Sequence, residues 1–194
     1  MHPTMHEIER HPLEPYLPEG CKVLFLGSFP PPRKRWAMDF FYPNFINDHW
    51  RIEGLVWFSN KDHFVDIARK TFRLPEIKEF LNEHGIGFYD TARAVIRLNG
   101  DASDKFLQVV EPTDINALIA PLHELKAIAV TGEKACKTIC EYFGITETPE
   151  TGNYVMLTDK IRLYRLPSSS RAYPLAIEKK ALAYEQMFKQ LGMI

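Results

Sequence analysis

The sequence lacks the features that would assign a class at once. Its three cysteines, Cys21, Cys136 and Cys140, are too few for a disulfide framework. Cys136 and Cys140 are one helical turn apart, but no second Cys or His pair follows at metal-ligand spacing, which predicts buried thiols and no metal site. No apolar run reaches the roughly 18 residues that a membrane span requires, and the first residues contain no apolar signal core. We therefore expect a cytoplasmic protein that does not enter a membrane.

Net charge is also nearly absent, since 24 basic residues face 25 acidic ones. This balance argues against a protein that binds nucleic acid through bulk positive charge. The charges are segregated, however. Residues 160–180 contain six basic residues and one acidic residue, residues 30–75 contain eight basic and five acidic, and residues 101–124 contain one basic and five acidic. The sequence therefore predicts one basic side and one acidic side.

The chain contains no P-loop, dinucleotide fingerprint, nucleophile elbow or zincin motif, and no internal repeat. Its 194 residues are 45% hydrophobic, which is enough to bury a core. Residues 1–20 are polar and contain four prolines, so we predict an irregular lead-in there. Residues 21–194 are expected to form a single domain.

Short apolar runs alternate with helical patterns along the rest of the chain. This order predicts an α/β protein, a three-layer α/β/α sandwich with a mainly parallel central sheet. Ligands of such sheets bind beyond the carboxyl ends of the strands, where we expect the loops 27–47, 87–93 and 166–173 to converge. The predicted strands are 22–26, 86–90, 127–130, 155–157 and 161–166, and the predicted helices are 49–58, 75–83, 113–120, 133–142 and 175–191.

The first of these loops carries two unusual stretches. Gly27 and Ser28 precede Phe29 and three prolines, a rigid backbone that can bind an anion or a carbonyl oxygen, or simply make a turn. In the aromatic segment that follows, Phe41 and Tyr42 can form a slot for a flat ring, with Asn47 and Asp48 as polar contacts. Alternatively, the aromatic residues belong to the core and Asn47 or Asp48 caps the next helix. Both interpretations can hold together.

The last loop begins with three serines, Ser168, Ser169 and Ser170, followed by Arg171. Hydroxyl and amide groups ahead of a helix can bind a phosphate. The same serines can instead serve only as helix caps. The surrounding basic residues favour the phosphate interpretation.

Taken in order, these stretches resemble the uracil-DNA glycosylase superfamily, in particular its hypoxanthine-DNA glycosylase-like branch and uncharacterised bacterial relatives. The resemblance runs from about Lys22 to the last helix. Its four motifs are VLFLGSFPP (23–31), FYPNFINDHWRI (41–52), HGIGFYDTARAVIRLNGDASD (84–104) and RLPSSSRA (165–172). The resemblance implies hydrolysis of the N-glycosidic bond of a deaminated base, uracil or hypoxanthine, that is flipped out of DNA. It also implies no cofactor and no metal, DNA as the partner, and a monomer.

The resemblance further implies roles for individual residues. Ser28, Phe29, Phe41, Tyr42 and Asp90 fall at base-binding positions, and Asp90 is where the family reads the edge of the base. Ser168, Ser169, Ser170 and Arg171 match the loop that clamps DNA.

The catalytic positions depart from the better-known branches. Phe29 replaces an acid or amide that handles the water, and Leu166 replaces a histidine that stabilises the leaving base. Asn47 is then the candidate for holding the water, with Asp48 as a second candidate. The alternative is a DNA- or nucleotide-binding homologue that is inactive or weakly active. A small-molecule α/β enzyme is a third hypothesis.

Overall fold

The computed structural model describes residues 6–98 and 104–194. The first five residues of the predicted lead-in lie outside this range, as do residues 99–103, which include part of the third motif and Asp101 of the acidic stretch. The strands are β1 (Ile8–Arg10), β2 (Val23–Gly27), β3 (Val65–Asp66), β4 (Thr71–Phe72), β5 (Ile86–Asp90), β6 (Ala92–Arg97), β7 (Leu107–Pro112), β8 (Ala127–Thr131), β9 (Tyr154–Met156) and β10 (Arg162–Leu166). The helices are α1 (His49–Phe58), α2 (Leu74–His84), α3 (Ile115–Ile119), α4 (Glu133–Tyr142) and α5 (Ile177–Gln190).

The central sheet has five strands in the order β5-β2-β8-β10-β9. The first four are parallel, and β9 closes one edge as an antiparallel hairpin with β10. Residues 23–26 of β2 are buried without alternation, because a parallel strand in the middle of a sandwich is covered on both faces. The α/β fold with a mainly parallel sheet is therefore confirmed, and so is the hairpin.

The strand order also fixes where a ligand can enter. The connection from β2 to β5 and the connection from β8 to β10 leave in opposite directions along the sheet. Since such crossovers are right-handed, α1 and α2 lie on one face and α4 lies on the other. Helix α5 packs against α1. The direction reverses between β2 and β8, and in open α/β sheets the carboxyl ends of the strands at such a point are where a ligand crevice forms.

A second sheet corrects the expectation of an irregular lead-in. Strand β1 pairs antiparallel with β6, which pairs antiparallel with β7. Nothing in the polar sequence Ile8-Glu9-Arg10 marks a strand, because its pairing comes from a segment more than 80 residues away. Arg97 secures the pair by donating two hydrogen bonds of 3.0 Å to the Glu9 carboxylate. Strands β6 and β7 and the short pair β3-β4 were not predicted either.

The helix predictions are confirmed with small shifts of their ends. Helices α1 and α4 match residues 49–58 and 133–142, and α5 is shorter than predicted at both ends. The Asp114 carboxylate caps α3 by accepting the Ala117 N–H at 3.0 Å. All three cysteines are free and buried. No helix in the described ranges is long and apolar enough to cross a bilayer.

Candidate functional site

The three loops at the strand ends are joined by hydrogen bonds. The backbone N–H of Asp48 donates to the Ser169 carbonyl at 3.0 Å, linking the first loop to the last. The Thr91 N–H donates to the Gly27 carbonyl at 2.8 Å, linking the first loop to the end of β5. The segments 27–48, 87–93 and 166–173 thus meet at the carboxyl edge of the sheet. The prediction of a loop over 87–93 was wrong, since all of these residues except Thr91 belong to β5 and β6, which pair with neighbouring strands.

Asp90 ends the outer strand β5 and is the register partner of Gly27 at the end of β2. A Cβ atom added to Gly27 would stand 2.7 Å from Asp90 Oδ1 and 3.8 Å from the Tyr42 hydroxyl. Real Cβ atoms are essentially never within 3.0 Å of another non-bonded heavy atom, so a side chain at position 27 would displace the Asp90 carboxylate. Glycine at this strand end therefore leaves the space in which the Asp90 carboxylate lies near the Tyr42 hydroxyl.

Tyr42 spans the point where the strand order reverses. Its hydroxyl is 2.6 Å from Thr131 Oγ1 at the end of β8. Its ring stacks on His49 with the centroids 4.1 Å apart and the planes 9° apart. Tyr42 also has a φ of 50°, in the left-handed region. Phe41, by contrast, is a core residue that stacks on Phe88. Of the two aromatic candidates, Tyr42 is the one placed in the crevice.

Ser28 and Phe29 differ in character although they are neighbours. Ser28 is buried, and its hydroxyl has no hydrogen-bond partner among the described residues. A buried hydroxyl without a partner is unfavourable, and a ligand can supply the missing bond. Phe29 is packed in a small apolar cluster with Ala92, Val95 and Leu107. Its environment is that of a core residue.

Asn47 and Asp48 precede α1, as predicted for helix-capping residues. The Asn47 side-chain oxygen accepts the His49 N–H at 2.9 Å. Asp48 makes no side-chain cap. Instead, its Oδ1 accepts from Arg171 Nε at 3.0 Å and its Oδ2 is 4.0 Å from Lys180 Nζ. The carboxylate of Asp48 therefore connects two loops through cations, whereas Asn47 leaves its amide N–H groups as donors.

The serine loop is internally bonded. Ser168 Oγ accepts the Ser170 N–H and Ser170 Oγ accepts the Ala172 N–H, each at 3.2 Å. The Ser169 side chain is buried. Helix α5 begins only at Ile177, so the serines are not at its N-terminus. Groups able to reach a phosphate are therefore the hydroxyl protons of Ser168 and Ser170 and the half-exposed Arg171.

Lys180 on α5 holds the serine loop through a hydrogen bond to its backbone. Its ammonium group donates to the Ser170 carbonyl at 2.8 Å, and the side chain is almost entirely buried. Burial lowers the pKa of Lys180 below its ordinary value, while Asp48 opposes that shift. Lys180 lies four residues before Tyr184, on the apolar stripe of α5, so the helical spacing alone would have flagged it.

A buried polar pair lies directly behind Tyr42. His49 Nε2 and Glu53 Oε1 are 3.5 Å apart and both side chains are fully buried. Burial lowers the pKa of His49 to about 3 and raises the pKa of Glu53 to about 8. Trp57 donates its indole N–H to the other Glu53 oxygen at 3.0 Å. Both side chains are therefore uncharged at neutral pH, and the His49 ring is the surface on which Tyr42 stacks.

Sequence reasoning missed His11, the residue closest to Asp90. Its Nε2 is 2.7 Å from Asp90 Oδ2, and only 2% of its side chain is exposed. No local pattern could have shown this contact, because the two residues are 79 positions apart. Thr131 was also missed, although the rule that sites form at strand ends would have found it.

Two other surface features bear on ligand binding. A depression of about 420 Å³ follows α1 and is lined by polar and apolar residues between Asn60 and Arg73, outside the three loops. It contains none of the predicted site residues. Within the described ranges, no group of three or more His, Cys, Asp or Glu side chains is placed to hold a metal ion.

The α/β fold described above has a counterpart among solved structures. A solution NMR structure described as a "putative uracil DNA glycosylase" from Methanosarcina acetivorans aligns with this chain at a TM-score of 0.63 and 23% identity. The alignment covers 96% of this chain and 99% of that one. The resemblance is thereby confirmed at the level of the fold. No family model matches the sequence. No curated protein matches it either.

Proposed function

We propose that this protein binds DNA and hydrolyses the N-glycosidic bond of a deaminated base, uracil or hypoxanthine, turned out of the duplex. The observation that carries the proposal is the convergence of the Asp90, Tyr42 and Thr131 side chains over Gly27, beside the serine loop. An extruded base needs a stacking surface, a group that reads its edge, and a clamp on the flanking phosphates. We assign these three functions to Tyr42, Asp90 and the serine loop, respectively.

The chemistry must proceed without a strong base at the end of β2. Phe29 and Leu166 are buried apolar residues, and neither can accept a proton or bind an anion. Hydrolysis would then depend on an oxocarbenium-like path, stabilised by preorganised dipoles, with a water positioned by hydrogen bonding. The amide N–H groups of Asn47 are the candidate donors to that water.

Replacing Asn47 with alanine is expected to lower cleavage of uracil- or hypoxanthine-containing DNA by roughly 100-fold while DNA binding is kept. The alanine also removes the cap of α1, at about 1 kcal/mol of stability. Asn47→Asp separates the two effects, because it retains an oxygen for the His49 N–H but loses the amide donors. Single-turnover cleavage should therefore be low in both variants. Wild-type cleavage by Asn47→Ala would remove Asn47 from the mechanism, whereas cleavage by Asn47→Asp alone would show that the residue holds the water as an acceptor and not as a donor.

DNA binding is expected to depend on salt. Arg171 and the exposed residues Arg33–Arg35 belong to the loops around the crevice. If about three phosphates are contacted, the logarithm of the affinity for an abasic duplex should fall with a slope near −3 against the logarithm of the salt concentration. Arg171→Ala should make the slope shallower by about one. Lys137→Ala on α4, whose lysine is also exposed, is the matched control. An affinity that does not change with salt would contradict the proposal.

The second candidate is a DNA- or nucleotide-binding homologue without hydrolase activity. The burial of Phe29 and Leu166, at positions where the better-known branches of the resembled superfamily have polar groups, favours it. Cleavage assays on duplexes with uracil, hypoxanthine or xanthine discriminate the two candidates. Salt-dependent binding without cleavage of any of these substrates would select the binding protein.

A further inference from the structure

His11 is held in one orientation by bonds at both ring nitrogens. The Leu13 N–H donates to Nδ1 at 3.1 Å. Because a backbone N–H can only donate, Nδ1 is the acceptor and the proton of the neutral ring is on Nε2. Nε2 is 2.7 Å from Asp90 Oδ2 and therefore donates to it.

The ring cannot turn away from this bond. It contacts Phe29 edge-on with centroids 5.3 Å apart, and the Tyr89 ring lies 4.7 Å away on another side. The backbone is also fixed, since the His11 N–H donates to the Arg93 carbonyl at 2.8 Å immediately after β1. The second sheet thus fixes the His11 Nε2–H as a hydrogen-bond donor to Asp90 Oδ2.

The bond from His11 engages one of the two Asp90 carboxylate oxygens and leaves the other available to a ligand. Oδ2 is occupied at the back, whereas Oδ1 lies over Gly27 near the Tyr42 hydroxyl, where the loops converge. A carboxylate oxygen offers only acceptor sites. A ligand group that meets Oδ1 must therefore be an N–H or O–H donor.

We propose that His11 is a positioning residue that fixes Asp90 so that Oδ1 accepts a hydrogen bond from the ring N–H of the extruded base. This inference rests on the proposed function and names its substrate class. Deamination of adenine or cytosine converts a ring nitrogen from an acceptor into an N–H donor. An oriented carboxylate selects a deaminated base over its parent, adenine or cytosine, by this change, because with the parent base two acceptors would face each other.

The test measures equilibrium binding to short duplexes that contain one 2′-fluoro-deoxyinosine, which resists hydrolysis, or deoxyadenosine at the same position. The wild-type protein should prefer the inosine duplex. His11→Ala should reduce that preference about tenfold and leave the affinity for the adenosine duplex unchanged. His11→Gln, which can still donate to Oδ2, should restore most of the preference. His123→Ala, at an exposed histidine, should match the wild type.

Asp90→Asn gives a sharper result. With His11 present, the amide oxygen takes the place of Oδ2 and the NH2 group faces the crevice. This variant should lose the preference for inosine and gain affinity for the adenosine duplex, whose ring nitrogen is an acceptor. In the double variant His11→Ala, Asp90→Asn, the amide is no longer oriented, and the gain should disappear.

Each contrary outcome has a separate meaning. A wild-type protein that binds both duplexes equally overturns this inference, whereas the proposed function is overturned separately, by the absence of cleavage and of salt-dependent DNA binding in the assays above. A wild-type preference that survives in folded His11→Ala overturns the role of His11 alone. Tighter inosine binding by His11→Ala also overturns it, since His11 would then be filling the place of the base. If His11→Ala does not fold, ¹⁵N spectra of the wild-type imidazoles decide, because a proton on Nδ1 of His11 contradicts the proposed bond.

Discussion

Replacing Glu53 with glutamine should abolish a loss of stability that the wild-type protein undergoes between pH 6.5 and pH 8. The folded protein holds the Glu53 proton up to a pKa of about 8, whereas the unfolded chain releases it near 4.5. At any pH between these two pKa values, folding takes up a proton. The free energy of unfolding therefore decreases as the pH rises through this window. Each pH unit within this window lowers the folding equilibrium constant roughly tenfold.

His49 acts in the opposite direction. Its folded pKa of about 3 is below the ordinary 6.5, so its contribution to stability is complete above pH 6.5 and is lost as the pH falls toward 3. Between pH 4.5 and 6.5 the two slopes oppose each other and the wild-type profile should be flat. Above pH 6.5 only Glu53 contributes, which is why the wild-type protein should weaken there.

The measurement is urea unfolding across this pH range for wild type and Glu53→Gln. Glutamine resembles the protonated acid, because it can accept from the Trp57 indole and donate toward His49. The variant should gain stability over the wild type as the pH increases. Glu79→Gln, at an exposed position on α2, controls for a general charge effect. Parallel pH profiles for wild type and Glu53→Gln would contradict a buried neutral Glu53.

Replacing Asp48 with alanine is expected to cost about 3 kcal/mol of stability, because it leaves the buried Lys180 ammonium without its counter-charge. Arg171→Ala should cost less than about 1 kcal/mol, since this arginine is half exposed. Asp48→Ala should also weaken DNA binding, because Asp48 connects the serine loop to the first loop. Denaturant unfolding and duplex binding are measured on the same samples.

A double variant tests the cause of this loss. Asp48→Asn with Lys180→Met replaces the pair with neutral groups and should recover most of the stability, as buried ion pairs often can be replaced without loss. Asp48 was also a catalytic candidate in the sequence. Wild-type stability of Asp48→Ala combined with abolished cleavage would favour that chemical role over the structural one.

Local chemistry explains which parts of the fold were predictable. The apolar run Val23–Leu26 indicates a buried strand, and the residue pattern within α1 and α4 indicates a helix, from neighbouring residues alone. Strands β1, β6 and β7 carry no such mark, because they are stabilised by pairing with each other across long sequence separations. Propensity and periodicity describe neighbours along the chain and not partners in space.

The same limit applies to the candidate site. Strand-end composition was enough to single out Gly27, Tyr42, Asp90 and the serines, because parallel strands bring their carboxyl ends to one edge. It did not show how Asp48 is engaged by Arg171, nor that His11 lies behind Asp90, since those contacts join residues 123 and 79 positions apart. The roles of the predicted site residues remain predictions for the experiments above.

These long separations also have a kinetic consequence. The crevice assembles only when the segments that carry His11, Tyr42, Asp90 and Ser169 have come together, and each closure has to overcome chain entropy before a contact forms. Strand β1 has only three residues and docks through one neighbouring strand. We therefore expect His11 to dock late, because its strand has few contacts of its own, so that a refolding chain can complete its central sheet before Asp90 is fixed.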